Sequence, residues 1–451
     1  MTSLRDETVA LLQQLIRAET VNDGALDSGN EWRAAAVLEE FFEGSGVELT
    51  RVEPFPGRVS VVARLSGTDP DAESLALVGH TDVVPVKATD WVHPPHSGEL
   101  IDGEVWGRGA VDMLFLTASY AVIFKRLAVS GFAPTGDLVF AAVADEEQGS
   151  RAGVGWFSEN DWATIAADNV LTEWGGARLG GVGSTAITVG VGEKGAAPRR
   201  IVVRGDAAHA SAPWGRSNAA VTVAEVIDRL QAGAPKPRIS EQWIETLAAL
   251  DLPAELSARL ADPETIDDAI DELSAHPDLG ELAPFVHAWT HTTVAVTIVE
   301  AGSKVNVIPD SGSISLDIRV LPGVTEDDVE AHLAAVAAEF PGLVSVEGDW
   351  FSPANESATT TRLYAKIEET LAEFVPGAKP APILGVGGSD ARFYRLHGGN
   401  AFGFGILSPE LTFSVARNRF HSANERLDLE SIDLTVRGLD HLVRNFLSTP
   451  A

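Results

Sequence analysis

Short runs of residues that are apolar or β-branched along their whole length constrain the fold of this 451-residue chain more than any other feature. Strands buried on both faces have this pattern, whereas a strand with one solvated face alternates apolar and polar residues. Helical patterns at 4–19, 30–44 and 114–130 separate the runs. The runs in the first 195 residues are VSVVARL, SLALVGH, DLVFAAVADEE and NVLTEW. This alternation predicts an α/β fold in which a mostly parallel sheet has helices on both faces.

A second pattern begins after residue 195 and predicts a unit inserted into the chain. Its strand-like and helical segments follow the order βαββαβ, which is typical of a small two-layer α+β domain. The chain also exceeds the roughly 250–300 residues over which a single hydrophobic core grows. We therefore predict a discontinuous domain at 1–195 and 353–451, and an inserted domain at 196–352. Inside the inserted domain, the polar, proline-containing stretch 234–290 is predicted to be a long insertion.

The composition excludes several classes of function. Acidic residues outnumber basic residues 65 to 33, giving a net charge of −32, so nucleic acid and anionic membranes are not expected partners. The absence of cysteine excludes disulfides and thiolate chemistry, and it requires any zinc site to use histidine and carboxylate ligands. The N-terminus lacks the apolar core of a signal peptide, and no apolar run is long enough to span a membrane. A cytoplasmic protein is expected.

The segment LALVGHTDVVPV, at residues 75–86, places polar side chains at the end of a buried run. His80 and Asp82 lie two residues apart on an extended chain, so their side chains project from the same face. One interpretation is a strand-end histidine that simply hydrogen-bonds its neighbour. The other is a metal-ligand histidine whose orientation is held by a carboxylate.

Further polar residues follow other runs or Gly-rich turns. In isolation each has an ordinary explanation: Asp112 in WGRGAVDM is placed to cap a helix, and Glu146 and Glu147 in VFAAVADEEQGS could form a solvated acidic turn. Glu173 ends the run LTEWGG, and His421 lies in the late loop FHSANERLD. The carboxyl ends of strands are, however, where α/β sheets place their sites.

Together these residues suggest a pair of metal ions. Two histidines and three carboxylates form a mixed nitrogen and oxygen donor set that suits two Zn²⁺, Co²⁺ or Mn²⁺ ions. Three carboxylates and a bridging hydroxide would balance the four positive charges of two such ions. Glu146 would remain outside the ligand set, next to Glu147, where it could take a proton from a metal-bound water.

At these motifs the sequence resembles the dinuclear zinc exopeptidases and amidohydrolases, which include glutamate carboxypeptidase, succinyl-diaminopimelate desuccinylase, acetylornithine deacetylase and aminoacylase. The resemblance covers nearly the whole chain, with the motifs in the family's order. It implies that one ion is bound by His80 and Glu173, that the other is bound by Glu147 and His421, and that Asp112 bridges the two. It also implies that Asp82 orients His80, that Glu146 is the general base, and that the Asp112–Met113 peptide bond is cis.

The resemblance extends to the inserted domain, which corresponds to the family's lid and dimerisation domain. The segment GDAAHASAPWGRSNA resembles a lid motif whose histidine, here His209, stabilises the oxyanion, in dimeric members from the neighbouring subunit. SKVNVIPDSGSISLDIRVLPG resembles the segment that holds the substrate carboxylate, here through Asn306 and Arg319. GVGGSDARF resembles a Gly-rich substrate-side loop, with Gly388 and Ser389 as candidates.

The resemblance implies a metal-dependent hydrolase that cleaves an amide bond next to a free carboxylate, in N-acyl amino acids or short peptides. Zinc is the expected metal, with cobalt and manganese as alternatives, and the resemblance leaves open a homodimer through the lid. Two alternatives stay open. The enzyme could be a dipeptidase or carboxypeptidase instead of a deacylase, or the chain could be a catalytically silent, metal-stabilised protein that binds peptides.

Overall fold

The computed structural model of the chain describes residues 2–448 apart from residues 26, 278 and 349. The described strands are short, and many of those in the larger sheet are buried along their whole length. In chain order they are β1 (Thr50–Phe55), β2 (Arg58–Leu65), β3 (Leu75–His80), β4 (Glu99–Ile101), β5 (Glu104–Trp106), β6 (Leu138–Val143), β7 (Asn169–Thr172), β8 (Ala186–Glu193), β9 (Gly195–Ala196), β10 (Arg199–Arg204), β11 (Ala208–His209), β12 (Thr293–Ala301), β13 (Val307–Ile308), β14 (Ser311–Val320), β15 (Val344–Gly348), β16 (Asn355–Glu356), β17 (Lys379–Gly385), β18 (Asn400–Gly403) and β19 (Arg426–Asp428).

The helices connect and cover these strands. Short helical turns lie at Ala88–Asp90, Glu146–Gln148 and Gly280–Leu282. The α-helices are α1 (Leu4–Arg17), α2 (Trp32–Phe42), α3 (Leu114–Val129), α4 (Val154–Asn160), α5 (Trp162–Ile165), α6 (Ala219–Ala232), α7 (Glu241–Ala249), α8 (Ala254–Leu260), α9 (Ile266–Ser274), α10 (Ala283–Thr290), α11 (Glu326–Ala338), α12 (Arg362–Phe374), α13 (Ala391–Leu396), α14 (Phe413–Arg419) and α15 (Leu429–Leu447). Within the described residues, none of these helices has the length and hydropathy needed to cross a membrane.

Among the described residues, the larger sheet has nine strands in the order β1-β2-β6-β3-β7-β18-β8-β16, with β17 paired to β8. Its central strands are parallel: β3 pairs in parallel with β6 and β7, and β18 pairs in parallel with β7. Antiparallel pairs lie towards the two edges. The mostly parallel centre of the sheet confirms the predicted α/β fold. Its parallel strands bring the carboxyl ends of β6, β3 and β7 to one edge of the sheet.

Both faces of this sheet are covered, which explains why its strands are apolar at every position. Leu75 and Leu77 belong to a hydrophobic cluster that also contains residues of α1, α3 and α15. Ala76 and Val78 point to the other face, into a cluster with residues of α4 and α13. Successive residues of a strand alternate between faces, so a sheet between two helical layers needs an apolar side chain at each position.

A smaller sheet is formed by the middle of the chain. Its strand order is β12-β14-β10-β15, with β9 paired to β14, and α6 and α11 pack on one face. The predicted order βαββαβ is therefore present as β10, α6, β12, β14, α11 and β15. The proposed division at 195 and 353 stays a prediction, and residues 1 and 449–451 of its ranges lie outside the described residues.

The stretch 234–290 contains α7 to α10 and packs mainly on the larger sheet. Buried Trp243 and Trp289 belong to the same hydrophobic cluster as the core of that sheet. The indole N–H of Trp289 donates to the carbonyl oxygen of Leu384 at 2.8 Å, and the Thr246 hydroxyl donates to the carbonyl oxygen of Pro382. These contacts with β17 show that the stretch covers the larger sheet, although the sequence places it between strands of the smaller one.

Candidate metal centre

The carboxyl ends of three neighbouring parallel strands supply most of the predicted metal ligands. His80 is the last residue of β3, Glu147 lies shortly after β6, and Glu173 directly follows β7. Asp112 reaches the same edge from the turn before α3, and His421 from the loop after α14. The five residues that the sequence predicts as ligands therefore meet at one place.

Two groups of potential ligands share one carboxylate. The first group is His80, Asp112 and Glu173, and the second is Asp112, Glu147 and His421; within each group the ligand atoms lie within 4.8 Å of one another. In the first group, Nε2 of His80 lies 3.3 Å from Oδ1 of Asp112 and 3.8 Å from Oε2 of Glu173. In the second, Nε2 of His421 lies 2.9 Å from Oδ2 of Asp112 and 3.2 Å from Oε2 of Glu147. The two oxygens of Asp112 thus face different groups.

The donor set fits a pair of divalent cations. Oε1 of Glu147 is buried and has no hydrogen-bond partner among the described residues, which is costly for a carboxylate oxygen unless a cation contacts it. His80 is buried, and the side chains of Asp112 and Glu173 are 11% and 6% exposed. Nitrogen and carboxylate donors of this kind suit Zn²⁺, Co²⁺ and Mn²⁺. The peptide bond between Asp112 and Met113 is cis, as the resemblance implies.

Burial and crowding change the proton affinities of these groups. Burial raises the pKa of Glu173 to about 8, and the nearby Asp112 contributes in the same direction. Hydrogen bonds to Asp112 and Glu147 raise the pKa of His421 to about 10. Burial alone would raise the pKa of Asp112, but its hydrogen bonds with His421 and His80 outweigh that effect and hold the pKa well below its usual range. Positive charge at this place stabilises the carboxylates in their ionised form.

Glu146 lies beside the two groups and belongs to neither. Its Oε2 atom is 3.9 Å from Nε2 of His80, and its side chain is 11% exposed. Burial, followed by the charge of Glu173, raises the pKa of Glu146 well above its ordinary value. A carboxylate in this environment has an increased affinity for a proton, which is the property that a general base requires.

Asp82 lies beside His80 through both its backbone carbonyl and its carboxylate. Nδ1 of His80 lies 2.9 Å from the backbone carbonyl oxygen of Asp82, whereas the nearest carboxylate oxygen of Asp82 is 3.6 Å away. The carboxylate instead accepts hydrogen bonds from the backbone N–H groups of Glu146 and Glu147, at 3.1 and 3.2 Å. It is therefore held by the loop that carries the proposed base, and the shortest contact of Asp82 with His80 is made by its backbone carbonyl. That Asp82 orients His80 stays a prediction.

A buried network that the sequence analysis missed supports this loop. Asp145 has a φ of +69°, and the amide nitrogen of Asn22 donates to Asp82 at 2.9 Å and to Asp145 at 3.0 Å. Arg58 joins the buried carboxylates of Asp145 and Glu31, at 2.8 and 2.7 Å. No spacing rule predicts these contacts, because Asn22, Glu31 and Arg58 precede the loop by more than 80 residues.

We expect Asn22→Ala to weaken metal binding by about 10- to 100-fold, the usual cost of removing a hydrogen bond that supports the ligands of a metal site. The substitution leaves Asp82 and Asp145 each without one donor, so the turn carrying Glu147 loses its fixed position. Metal titration of the apoprotein, with a chelating indicator as competitor, measures the effect. Asn445→Ala, at an exposed position of α15, is the matched control and should leave metal affinity unchanged.

Glu425 connects the two remaining ligand segments and was also missed. This fully buried carboxylate accepts hydrogen bonds from the backbone N–H groups of Val111 and Asp112, at 2.7 and 3.0 Å. Arg108 donates to Glu425 at 2.6 Å and to the carbonyl oxygen of Ser422 at 3.2 Å. The pair thereby joins the turn of Asp112 to the loop of His421. Its only sequence signal is a charged residue four positions after the histidine.

The predicted substrate residues His209, Asn306 and Arg319 lie outside both ligand groups. His209 and Asn306 come together: β11 pairs with β13, and the N–H of Ala210 donates to the Asn306 carbonyl at 3.0 Å. His209 is exposed, and its Nδ1 atom lies 2.8 Å from the Ser211 hydroxyl. Arg319 lies on β14 and forms a bidentate contact with Asp317, at 2.6 and 3.1 Å. Their roles towards a substrate stay predictions.

Gly388 and Ser389 follow β17 in the Gly-rich loop. Ser389 is buried, and both its N–H and its hydroxyl donate to Glu193, at 2.6 and 2.9 Å. The single hydroxyl proton is thus already used inside the protein. A Cβ atom at Gly388 would lie 2.5 Å from Nη1 of Arg392, which is the end of a flexible side chain, so a larger residue there would require only that side chain to move. Contacts of Gly388 and Ser389 with a substrate stay predictions.

Comparison with known proteins identifies the family. Residues 76–445 match the family described as Peptidase family M20/M25/M40. This chain belongs to that family. The M20 chain is 28% identical over 466 residues to a probable carboxypeptidase S-like 2 of Dictyostelium discoideum, an alignment covering 98% of this chain and 86% of the relative. It is 28% identical over 453 residues to aminoacylase-1B of Rattus norvegicus, an alignment covering 98% of this chain and 96% of the relative.

A solved structure supports the fold of the M20 chain. The crystal structure of an M20 family metallo-carboxypeptidase from Sulfolobus solfataricus matches it with a TM-score of 0.71 and 19% sequence identity. The match covers 98% of this chain and 99% of that one. The predicted family membership and fold class are confirmed, and the chain is assigned at family level as an M20 hydrolase.

Proposed function

We propose that the protein hydrolyses the amide bond next to a free carboxylate in N-acyl amino acids or short peptides. The observation that carries the proposal is the Asp112 carboxylate shared between two ligand groups, with Glu146 beside them and outside both. His80, Asp112 and Glu173 would hold one ion, and Asp112, Glu147 and His421 the other. Zinc is our first choice of metal, with cobalt and manganese as alternatives.

Two ions at this place would supply Lewis-acid activation of water and of the scissile carbonyl. The side chains of the protein would then transfer the protons and donate hydrogen bonds. Glu146 takes a proton from the water while the water oxygen forms a bond to the carbonyl carbon. The same proton passes to the amide nitrogen as the carbon–nitrogen bond breaks, which gives a carboxylic acid and an amine. His209 would donate a hydrogen bond to the carbonyl oxygen as negative charge develops there.

Arg319 and Asn306 would bind the substrate carboxylate. Asp317 uses two of the five N–H groups of the Arg319 guanidinium, and the remaining three suffice for a second bidentate contact. We further propose that residues 196–352 form a lid and join two copies of the chain, as the resemblance implies. Exposed His209 and Asn306 would then act on a site assembled when the smaller sheet meets a metal centre.

The proposal is tested with purified protein supplied with Zn²⁺, Co²⁺ or Mn²⁺. N-acyl amino acids, dipeptides and tripeptides, each paired with its C-terminally amidated form, are assayed for released amino groups. Preferred cleavage of acyl amino acids identifies a deacylase, and preferred cleavage of peptides identifies a dipeptidase or carboxypeptidase. Stoichiometric metal binding with no cleavage of any compound would identify a silent binding protein and contradict the proposal.

We expect Arg319→Lys to lower kcat/KM by about 10- to 100-fold, because lysine keeps the charge but loses the bidentate hydrogen bonds. Metal content should remain unchanged, since Arg319 is outside both ligand groups. Steady-state kinetics on matched carboxylate and amide substrates measure the effect. Equal activity of the unaltered enzyme on both forms would exclude this role for Arg319.

A further inference from the structure

Trp174 directly follows the candidate ligand Glu173 and has a backbone conformation that bulky residues rarely adopt. Its φ is +76°, in the left-handed region where glycine is the usual residue. The chain has glycines at the next two positions, yet the tryptophan itself occupies the strained one. Strained residues of this kind cluster at functional sites. The strained backbone therefore indicates that the position of the indole matters for function.

The indole lies against the backbone of the Gly-rich loop that follows β17. A Cβ atom at Gly385 would overlap Cζ3 and Cε3 of Trp174, and one at Gly387 would lie 3.5 Å from Cη2. Gly385 is thus needed because the ring approaches the backbone closely. Trp174 is only half-buried, so part of this residue remains open to solvent next to Glu173 in the chain.

The position of Trp174 indicates which part of a substrate it would meet. Among the proposed carboxylate and oxyanion residues, Arg319 lies on the smaller sheet, His209 lies on β11 of the two-stranded β11–β13 ribbon, and Asn306 directly precedes β13. Trp174 and Gly385 lie at the ends of β7 and β17 in the larger sheet. With the scissile carbonyl at the metal centre and the carboxylate at the smaller sheet, the acyl group extends towards the larger sheet.

We propose that the Trp174 indole forms a wall of the acyl-binding pocket, and that the enzyme prefers substrates with apolar acyl groups. This inference rests on the proposed function and adds the class of acyl group. The part of an aromatic ring that remains exposed is stabilised by an apolar partner, because both surfaces then leave water. Each methylene that packs against it should strengthen binding by about four-fold.

The test compares N-acetyl, N-butanoyl and N-hexanoyl derivatives of one amino acid. With the unaltered enzyme, kcat/KM should rise with chain length. Trp174→Ala should lower kcat/KM for the hexanoyl compound by about 10- to 30-fold, as expected if about two of its four additional methylenes pack against the indole, while the acetyl compound changes less than about three-fold. An equal loss for all three compounds would show that Trp174 only supports the fold of the loop, and would overturn the proposal.

Binding measurements separate this proposal from the proposed function. Calorimetry with metal-loaded Glu146→Gln protein should show dissociation constants that fall with acyl length, and adding Trp174→Ala should remove the trend. If the unaltered enzyme cleaves nothing but affinity still increases with acyl length, Trp174 lines an acyl-binding pocket and the proposed hydrolytic function is wrong. Affinity that is independent of acyl length, or that still increases with acyl length in Trp174→Ala, would overturn the proposal that Trp174 lines the acyl-binding pocket.

Two further variants test the geometry. Gly385→Ala should lower the melting temperature because its Cβ overlaps the indole, and the double variant with Trp174→Ala should regain stability without regaining acyl preference. Trp32→Ala is the matched control, since Trp32 is 44% exposed on α2 of the same sheet. It should leave the acyl preference unchanged. The last substrates vary the amino-acid side chain at constant acyl length. If kcat/KM depends on that side chain and Trp174→Ala removes the dependence, Trp174 contacts the amino-acid side of the amide and the proposal is overturned.

Discussion

Replacing Glu146 with glutamine should lower kcat by about 10²- to 10⁴-fold or more, while both metals remain bound. Glutamine preserves the shape of the side chain but cannot accept a proton from the attacking water. Glu146 lies outside both ligand groups, so we expect metal binding not to depend on its carboxylate. Steady-state kinetics, together with metal analysis of the same preparation, measure the two effects separately.

Glu147→Gln is the matched control, because it makes the same chemical change at the adjacent position. Oε2 of Glu147 lies 3.2 Å from Nε2 of His421, and its Oε1 atom is buried without a partner among the described residues. We expect this variant to lose affinity for one metal ion. If Glu146→Gln loses metal and Glu147→Gln keeps it, the roles of the two glutamates have been exchanged.

The fold of the larger sheet could be predicted because its physical cause is local. A strand buried on both faces needs an apolar side chain at each position, and β3 and β6 show that pattern directly in the sequence. The predicted helices at 4–19, 30–44 and 114–130 are found at Leu4–Arg17, Trp32–Phe42 and Leu114–Val129. Their amphipathic or apolar patterns are likewise carried by consecutive residues.

Three candidate ligands, His80, Glu147 and Glu173, could be predicted for a related reason, since parallel strands bring their carboxyl ends to one edge. Asp112 and His421 lie in a turn and a loop, and their motifs are assigned by resemblance to the family.

The supporting residues could not be predicted. Glu425 has its effect through the backbone of Asp112, more than 300 residues earlier in the chain. Asn22 contacts Asp82 and Asp145 only after folding. Such contacts depend on the tertiary arrangement of distant segments and leave no periodic signal.

The packing of the stretch 234–290 was not predictable either. Its position in the chain, between strands of the smaller sheet, indicates nothing about which surface it covers. Trp289 shows the outcome, because its indole N–H donates to Leu384 at the end of β17. An insertion packs wherever apolar surface is available, and here the available surface belongs to the larger sheet.

His209→Ala should lower kcat by about 10²- to 10³-fold with little change in metal content, because a donor to the oxyanion acts mainly in the transition state. His209 is exposed on the β11–β13 ribbon and belongs to neither ligand group. Steady-state kinetics and metal analysis measure the effect. An unchanged kcat would exclude His209 from the reaction.

If the smaller sheet joins two copies of the chain, His209 of one copy would serve the metal centre of the other. Mixing His209→Ala subunits with Glu146→Gln subunits should then restore activity, because each mixed dimer contains one site with both groups intact. Random exchange makes half of the dimers mixed, so activity should recover to about one quarter of the unaltered value. Mixing either variant with itself is the control and should restore nothing. Mixed dimers that are verified by differential tagging, are folded and yet remain inactive would show that His209 does not act across the dimer.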